Sequence, residues 1–583
     1  MKKPVSLLAA ILLLALLLGG CGSKAKPPEQ GDIIYFENGA IYTADEADTL
    51  AEALALQDGK IVFVGAAEAG AAFRAQALEV VDLKGGMLLP GFIDAHIHCV
   101  SPDFFDFVLY DAISLDTTMQ TIEKAIKANP DQPFYTGFGY YPALFTGAEA
   151  AKGPTKERLD AICPDKPVVI YAYDGHAAWL NSKGLEAGGI TPQTASPPGG
   201  EVVLDDATGA LWGTLKDSAM SLAPPFGLEG EALATALERF LAQLNAYGYT
   251  SIMTLPGNGY MPVAWEGFAA LEAAERLSLR VRGAGTMTSW RVDEDLADLL
   301  ELQARHSGER LKLIAAKIFV DGVVDSESAL LLEPYSDAPG HQGESVWTQQ
   351  ALDDVVARLN AQGVQAHFHA VGDGAVRMAL DAVDAARAGG QDVAARRNAI
   401  THLQLVAQAD KPRLAELGVV AAVQPYWHYK VPQYWEAVEY TALGPRAETE
   451  YPLSSLAEAG ALLAFASDYP VTPDPNPFLA IETAVTRNMP DGSMLELDNL
   501  ADWNAPATLL AAEERLSVRQ AIRGFTANAA YAIDEEDVTG SLEVGKSADL
   551  VVIDQDLMAI DPLDISDTRV LRTYFQGRLV YAE

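Results

Sequence analysis

The strongest constraint on what this chain can fold into is an alternation. From about residue 88 to residue 468, short apolar runs that read as strands alternate with amphipathic stretches that read as helices. The strands fall at 88–98, 250–254, 279–286, 313–321, 364–370, 399–404, 418–424 and 462–468. Helices are predicted at 229–247, 262–277, 292–306, 348–361, 375–388 and 453–460. Alternation of this kind builds parallel βα units, and eight strands is the number that closes a (β/α)8 TIM barrel. A doubly wound open sheet competes, but no Gly-x-Gly-x-x-Gly follows an early strand. The stretch from about 99 to 249 is too long for one crossover and has its own strand at 167–173. It reads as an insertion after barrel strand 1 that covers the barrel mouth.

The two ends of the chain read differently. Residues 32–87 hold short strands separated by Asn38-Gly39 and Asp58-Gly59, which are strong hairpin signals. Residues 526–583 hold two more strand regions, at 548–553 and 570–581. Neither end has enough strands to bury a face alone. The expectation is one small β-sandwich built from both ends, with the barrel domain, 88–525, inserted between them.

Ahead of all this lies a leader. Lys2 and Lys3 precede an almost unbroken apolar run from Val5 to Leu18, and Leu18-Gly-Gly-Cys21 follows. The run is short for a membrane span, which needs about 20 residues, but suits a signal peptide. Small residues before a cysteine resemble a bacterial lipobox, implying cleavage after residue 20 and lipid on Cys21. Residues 21–31 then serve as a flexible tether. The protein is expected on the extracytoplasmic face of a bacterial membrane, held by that lipid. Its 41 basic residues against 80 acidic ones give a formal charge of −39, and losing Lys2 and Lys3 with the leader deepens this to −41. Such a surface repels nucleic acid and anionic headgroups, so no nucleic-acid partner is expected. Besides Cys21 only Cys99 and Cys163 remain, which is no disulfide framework.

Barrel active sites lie at the C-terminal ends of strands, so polar residues there carry a functional expectation. The first strand ends in His96-Ile97-His98, whose alternation puts both imidazoles on one face about 7 Å apart. Two neutral imidazoles on one face can hold a metal ion. The fourth strand carries Lys317 in an otherwise apolar run, where an isolated ammonium is costly. The fifth ends in His367-Phe368-His369, the sixth in His402 and the eighth in Asp468. Each alone could be a satisfied core polar group; together they point to a metal centre.

These residues also carry a resemblance. Pro90-Gly-Phe-Ile-Asp-Ala-His-Ile-His98 is similar to the first metal-binding strand of the amidohydrolase superfamily. Asp174-Gly-His-Ala-Ala-Trp-Leu-Asn-Ser182, Lys317-Ile-Phe-Val-Asp-Gly322, His369-Ala-Val-Gly-Asp373, Thr401-His-Leu-Gln404 and Ala466-Ser-Asp-Tyr-Pro-Val471 resemble its amidohydrolase 3, or YtcJ-like, branch. The resemblance runs from about residue 32 to the end. It implies two divalent metal ions, His96, His98 and Asp468 holding one, His369 and His402 the other, with a carboxylated Lys317 bridging both. Zinc best suits the mixture of imidazole and carboxylate ligands, with iron, manganese and nickel as alternatives. The family often has Glu before the strand 6 histidine, Gly two residues before the strand 8 aspartate and Trp after it; here these are Thr401, Ala466 and Tyr469. His367 rivals His369 but lies deeper in the barrel.

The implied reaction is hydrolysis of a non-peptide C–N bond, an amide or a relative, in a small-molecule substrate through a metal-bridging hydroxide, with Asp468 shuttling the proton. A mononuclear deaminase-like member and a non-catalytic solute-binding lipoprotein are the alternatives. Substrate contacts are expected from His176, Trp179 and Asn181 in the insertion, and from Tyr426, Trp427 and His428 after strand 7. His306 and His341 read as solvated, and Cys99 as core packing. Cys21→Ala is expected to release the protein from membranes and abolish labelling by a radiolabelled fatty acid; an equally lipidated variant would refute the anchor.

Overall fold

The structure, a computed structural model, describes residues 31–99, 102–224, 228–257, 263–432, 434–490 and 504–583. The leader, Cys21 and nearly all of the tether therefore lie outside the described residues. Eight parallel strands form one sheet in sequential order: Phe92–Ile97 (β1), Tyr249–Thr254 (β2), Arg280–Met287 (β3), Leu311–Phe319 (β4), Gln365–Ala370 (β5), Ala399–His402 (β6), Val420–Val423 (β7) and Leu463–Phe465 (β8). The result is a nearly closed barrel. Between β8 and β1 the Asp468 amide donates to the His96 carbonyl, and the His98 amide to the Tyr469 carbonyl, both at 2.8 Å.

The strand expected at 88–98 is two strands. Met87–Pro90 belongs to a different sheet, and the chain turns into the barrel at Gly91. A Cβ at Gly91 would lie 2.3 Å from the Thr250 side chain, so only glycine lets the backbone pass β2 there. Two other strands stop short of their expected ends. His402 and Leu403 take φ of 77° and 52°, and Asp468 takes 55°, all outside extended geometry. Ladder pairing accordingly stops at His402 on β6 and at Phe465 on β8.

Amphipathic helices cover the barrel. Gln349–Ala361 begins where the Thr348 side chain accepts the Ala351 amide, and it buries Leu352, Val355, Val356 and Leu359 at helical spacing. Asp373–Ala388 packs beside it. The sequence pattern misses Pro477–Thr486, which follows β8 and buries all but one of its ten residues. A helix buried on every side has no polar face and no readable period.

Residues between β1 and β2 make a six-stranded sheet in the order Gly200–Leu204, Leu211–Asp217, Ala177–Leu180, Val168–Ala172, Tyr135–Tyr140, Phe107–Val108. At the chain ends, Leu550–Ile553 pairs with Met87–Pro90 on one side and Val570–Phe575 on the other. A second sheet of four strands includes Ile34–Glu37 and Ala53–Gln57. Phe36, Leu54 and Leu56 of that sheet share a buried cluster with Leu88, Leu550, Val552 and Tyr574. The helix Ala527–Ala532 packs on the barrel instead, with Ala529 and Ala530 against Ile93, Ala95 and Ala464.

The tail is joined to the barrel by ions as well as apolar contacts. Arg280 at the start of β3 pairs with Asp549, and Arg282 with Glu535. The Arg280 and Asp549 side chains are 1% and 0% exposed. Asp549→Ala leaves the buried guanidinium with only the longer contact to Glu535, 3.8 Å from its Nε, which costs up to about 3–5 kcal/mol. Equilibrium urea denaturation is expected to show a loss of that order; a loss below about 1 kcal/mol would mean that the pair does not hold tail and barrel together.

Candidate metal centre

β1 brings His96 and His98 to the barrel mouth, with Ile97 between them facing the outer core. Asp468 arrives from the end of β8. Its Oδ1 lies 3.2 Å from His96 Nε2 and 3.1 Å from His98 Nε2. One ligand atom from each of the three residues falls within 4.8 Å of the others, and all three side chains are buried. The donor set fits a divalent cation: Asp468 Oδ1 is a buried oxygen without a hydrogen-bond donor, facing two imidazole nitrogens.

The second set sits beside it. Lys317 Nζ is 3.2 Å from His96 Nε2, and the Lys317 side chain is buried at the centre of β4. The rings of His369 and His402 meet at 4.5 Å between centroids, and His402 is 5.6 Å from His96. All six residues expected to carry metal therefore converge at one end of the barrel. They come from β1, β4, β5, β6 and the end of β8.

Each imidazole is oriented by what it touches on its far side. His98 Nδ1 is 2.8 Å from the Leu255 carbonyl, and His369 Nε2 is 3.1 Å from the Gly322 carbonyl. A carbonyl only accepts, so these nitrogens carry the protons, leaving His98 Nε2 and His369 Nδ1 with lone pairs. His402 Nδ1 faces Gln424 Oε1 at 3.3 Å, and Gln424 is turned that way by donating to Thr401 Oγ1 at 2.9 Å. Thr401, the departure from the family pattern, thus supports His402 beside it through Gln424. His367 meets His96 Nδ1 at 2.9 Å, which makes it a brace for His96.

Electrostatics agree with the ligand reading. Burial, then the charge of Lys317, holds His96, His367 and His369 well below the ordinary imidazole range, and burial together with His369 does the same to His402. All are neutral, as metal ligands must be. Burial opposes ionisation of Asp468, but His98, His402 and Lys317 outweigh it and keep its carboxyl below the usual value. Burial lowers Lys317 to about 7, against the pull of Asp468. His402 and Asp468 also hold left-handed backbone conformations, which cost about 1–3 kcal/mol in a non-glycine residue and gather at functional sites.

Of the expected substrate contacts, His176 stands at the centre, its ring 6.1 Å from that of His369 and its Nδ1 2.7 Å from Asp217. Trp427 stacks over His402 at 6.0 Å. The other four are placed elsewhere. Trp179 is buried among Tyr140, Phe145 and Ile170 in the insertion and donates to the Thr155 carbonyl. Asn181 is fully buried, caps the helix Ser182–Ala187 and ties it to Val168, Cys163 and Lys166. Tyr426 points into the outer core, where its hydroxyl meets that of Tyr249 at 3.3 Å. His428 is buried against Tyr451, its ring stacked at 4.6 Å. His306, expected in solvent, is buried and stacked on Trp265 at 4.9 Å, whereas His341 is exposed.

Sequence reasoning missed Asp217 and Gln424, which have no motif of their own. It also passed over Asp94, although that residue lies inside the quoted run. Asp94 Oδ1 accepts the amides of His96 at 3.1 Å and Ser467 at 3.0 Å, so one carboxylate spans the seam between β1 and β8. A cleft of about 910 Å³ opens beside the centre, between Asp217 of the insertion and Thr286, Phe319 and Asp321 at the ends of β3 and β4. It reaches the histidines at Phe319, whose ring lies 5.0 Å from His369.

Comparison with known proteins matches residues 79–581 to the model of the Amidohydrolase family. A putative amidohydrolase of Bacillus subtilis, YtcJ, is 27% identical over 94% of this chain and 99% of its own length. The N-substituted formamide deformylase of Arthrobacter pascens is 26% identical over 93% of this chain and 97% of its own. An uncharacterized metal-dependent hydrolase from Pyrococcus horikoshii OT3 shares the fold, with a TM-score of 0.68 at 24% identity, covering 91% of this chain and 99% of that one. With the histidine centre at the mouth of its barrel, this chain belongs to the amidohydrolase family of metal-dependent hydrolases that act on carbon–nitrogen bonds.

Proposed function

We propose that the chain is a binuclear amidohydrolase that cleaves a non-peptide amide of a small molecule. The observation that carries this is the convergence of His96, His98, Lys317, His369, His402 and Asp468 at one barrel end, with the perturbed imidazoles neutral and the carboxyl ionised. His96, His98 and Asp468 would hold one ion, and His369 with His402 the other. Zinc is the metal that suits these ligands. Lys317, lowered to about 7, presents much free amine at neutral pH. That amine can add to CO₂, forming an N–C bond and losing a proton, and the resulting carbamate has two oxygens with which to bridge the ions. Carboxylation also removes the cost of a buried ammonium.

When bound, such ions acidify water and polarise a carbonyl. The chain supplies the proton handling. Asp468 takes the proton from the water that attacks the carbonyl carbon and delivers it to the leaving nitrogen as the C–N bond breaks. His367 and Asp94 keep His96 and the β8 end in place while this happens. The named activity of the Arthrobacter relative makes N-substituted formamides the first substrates to test. The tight three-residue cluster of His96, His98 and Asp468 favours, as a second reading, a one-metal member of the family. In the wider molecule, we read the two sheets at the chain ends as a β-sandwich, the insertion at about 99–249 as a cover over the barrel mouth, and Cys21 as the lipid attachment that holds the chain on the extracytoplasmic face of a bacterial membrane.

Elemental analysis of purified protein tests the reading directly, with about two ions per chain expected and about one supporting the one-metal member. Lys317→Ala is expected to lose one or both metals and nearly all turnover of N-benzylformamide, roughly a 10²–10⁴-fold drop. Acetate or propionate at high concentration should partly restore metal occupancy by placing a carboxylate in the space. Lys317→Arg should not, because the guanidinium keeps its charge beside the cations. Asp468→Asn is expected to retain more metal than Lys317→Ala while losing a comparable amount of turnover. A Lys317→Ala protein with two metals and near-normal rates would leave Lys317 outside the centre.

A further inference from the structure

The cleft of about 910 Å³ between the insertion and the ends of β3 and β4 is continuous with the centre. Thr286, on its wall, pairs in register with Lys317 of the neighbouring strand. Gly322, also on the wall, offers its carbonyl to His369 Nε2 at 3.1 Å. Thr286 belongs to a barrel strand yet is exposed, and its hydroxyl has no hydrogen-bond partner among the described residues. Phe319, Leu299 and Trp347 make one side of the cleft apolar, and the Trp347 indole is satisfied by the Phe319 carbonyl at 2.9 Å. Trp290 lines it too, 40% exposed, on a loop braced by Asp295, which accepts the Thr288 amide at 2.8 Å. An aromatic face held open on an ordered loop offers contact area to an apolar or cationic group. A cleft of this volume takes a small molecule.

The charge of the cleft is one-sided. Six carboxylates line it, Glu327 and Glu344 among them, against one arginine, one histidine and no lysine. The arginine, Arg291, already faces Asp295 at 3.8 Å and Asp298 at 3.7 Å, and His341 is bonded to the Glu327 carbonyl at 2.7 Å. Glu327 and Glu344 meet no cationic side chain among the described residues. Residues 100–101, 225–227, 258–262, 433 and 491–503, which lie outside the description, include no lysine, arginine or histidine. A carboxylate entering this space is repelled by its walls and finds no unpaired cation to replace its lost water. An uncharged or cationic group meets no such penalty. We propose that the cleft receives the larger substituent of the scissile amide and rejects it when it carries an anion, so that the substrates are N-acyl amines and not N-acyl amino acids. This rests on the amide-hydrolase reading and deepens it to a substrate class. Trp290 and the apolar side favour a bulky substituent, and the carboxylates select against negative charge on it.

Three formamides of similar size test it on the metal-loaded protein at neutral pH: N-benzylformamide, its para-aminomethyl derivative, a cation, and its para-carboxylate, an anion. On a formamide only the nitrogen carries a substituent, so the group offered to the cleft is fixed. The anion is expected to show kcat/KM at least roughly 10-fold below the neutral compound, chiefly through KM, with the cation at or above it. Raising NaCl from about 20 to about 300 mM should narrow the gap. Glu327→Gln combined with Glu344→Gln should shrink the neutral-to-anion ratio of kcat/KM by roughly 5-fold or more. Trp290→Ala should shrink the ratio of N-benzylformamide to N-methylformamide by a similar factor, whereas a merely structural role would lower both rates together. An anion turned over within about 10-fold of the neutral compound would overturn the inference. So would discrimination that the glutamine substitutions leave unchanged, since its origin would then lie outside the cleft, or equal losses for both formamides in Trp290→Ala. If the double variant misfolds, Glu344→Gln alone decides, and the charge series needs no variant at all. No turnover of any of these formamides would instead overturn the amide reading, and this inference with it.

Discussion

The hydrogen bond from the Asp468 amide to the His96 carbonyl closes the barrel at the very place where the candidate ligands meet. β1 and β8 share no long ladder, so their junction depends on a few contacts beyond the strand ends. Asp94 adds a carboxylate that receives an amide from each side. The consequence is mechanical. Any change that lets β8 slide relative to β1 moves Asp468 away from His96 and His98 at the same time. Closing the fold and assembling the centre are one event.

Burial then sets the chemistry. A wholly solvated cluster of histidines, lysine and aspartate would hold charges at neutral pH in the ordinary way. Here desolvation strips the proton from His96, His369 and His402 and brings Lys317 close to neutrality, while their combined presence keeps Asp468 ionised. One environment thus leaves the imidazoles neutral, the lysine close to neutrality and the aspartate ionised. The expense appears in the backbone at His402 and Asp468, both in left-handed conformations that the surrounding strands enforce.

The barrel and the polar cluster at its mouth were legible because both rest on local patterns. Strand–helix alternation shows in any window, and a polar residue at a strand end carries its neighbours with it, as in His96-Ile97-His98. What was not legible depended on distant contacts. The break at Gly91 needs Thr250 to explain it, and Asp217 becomes visible only once the insertion folds back over His369. Similarity of motif misled in the opposite direction. Trp179 and Asn181 belong to the same run as His176, yet one fills the core of the insertion and the other caps a helix. A run shared with a family contains the residues that hold the turn in place as well as the one that comes near the histidine cluster.

That distinction bears on how the insertion works. Its sheet has its own apolar core, in two buried clusters. Asn181 and Trp179 secure the strands Val168–Ala172 and Ala177–Leu180, and His176 stands at the turn between them. His176, whose ring lies 6.1 Å from that of His369, is therefore placed between two packed strands, with Asp217 arriving from the adjacent strand Leu211–Asp217. Tyr110 of the insertion donates to the Pro470 carbonyl, two residues past Asp468, at 2.7 Å. The insertion and the end of β8 are thus linked directly, so a shift of one against the other must break this bond.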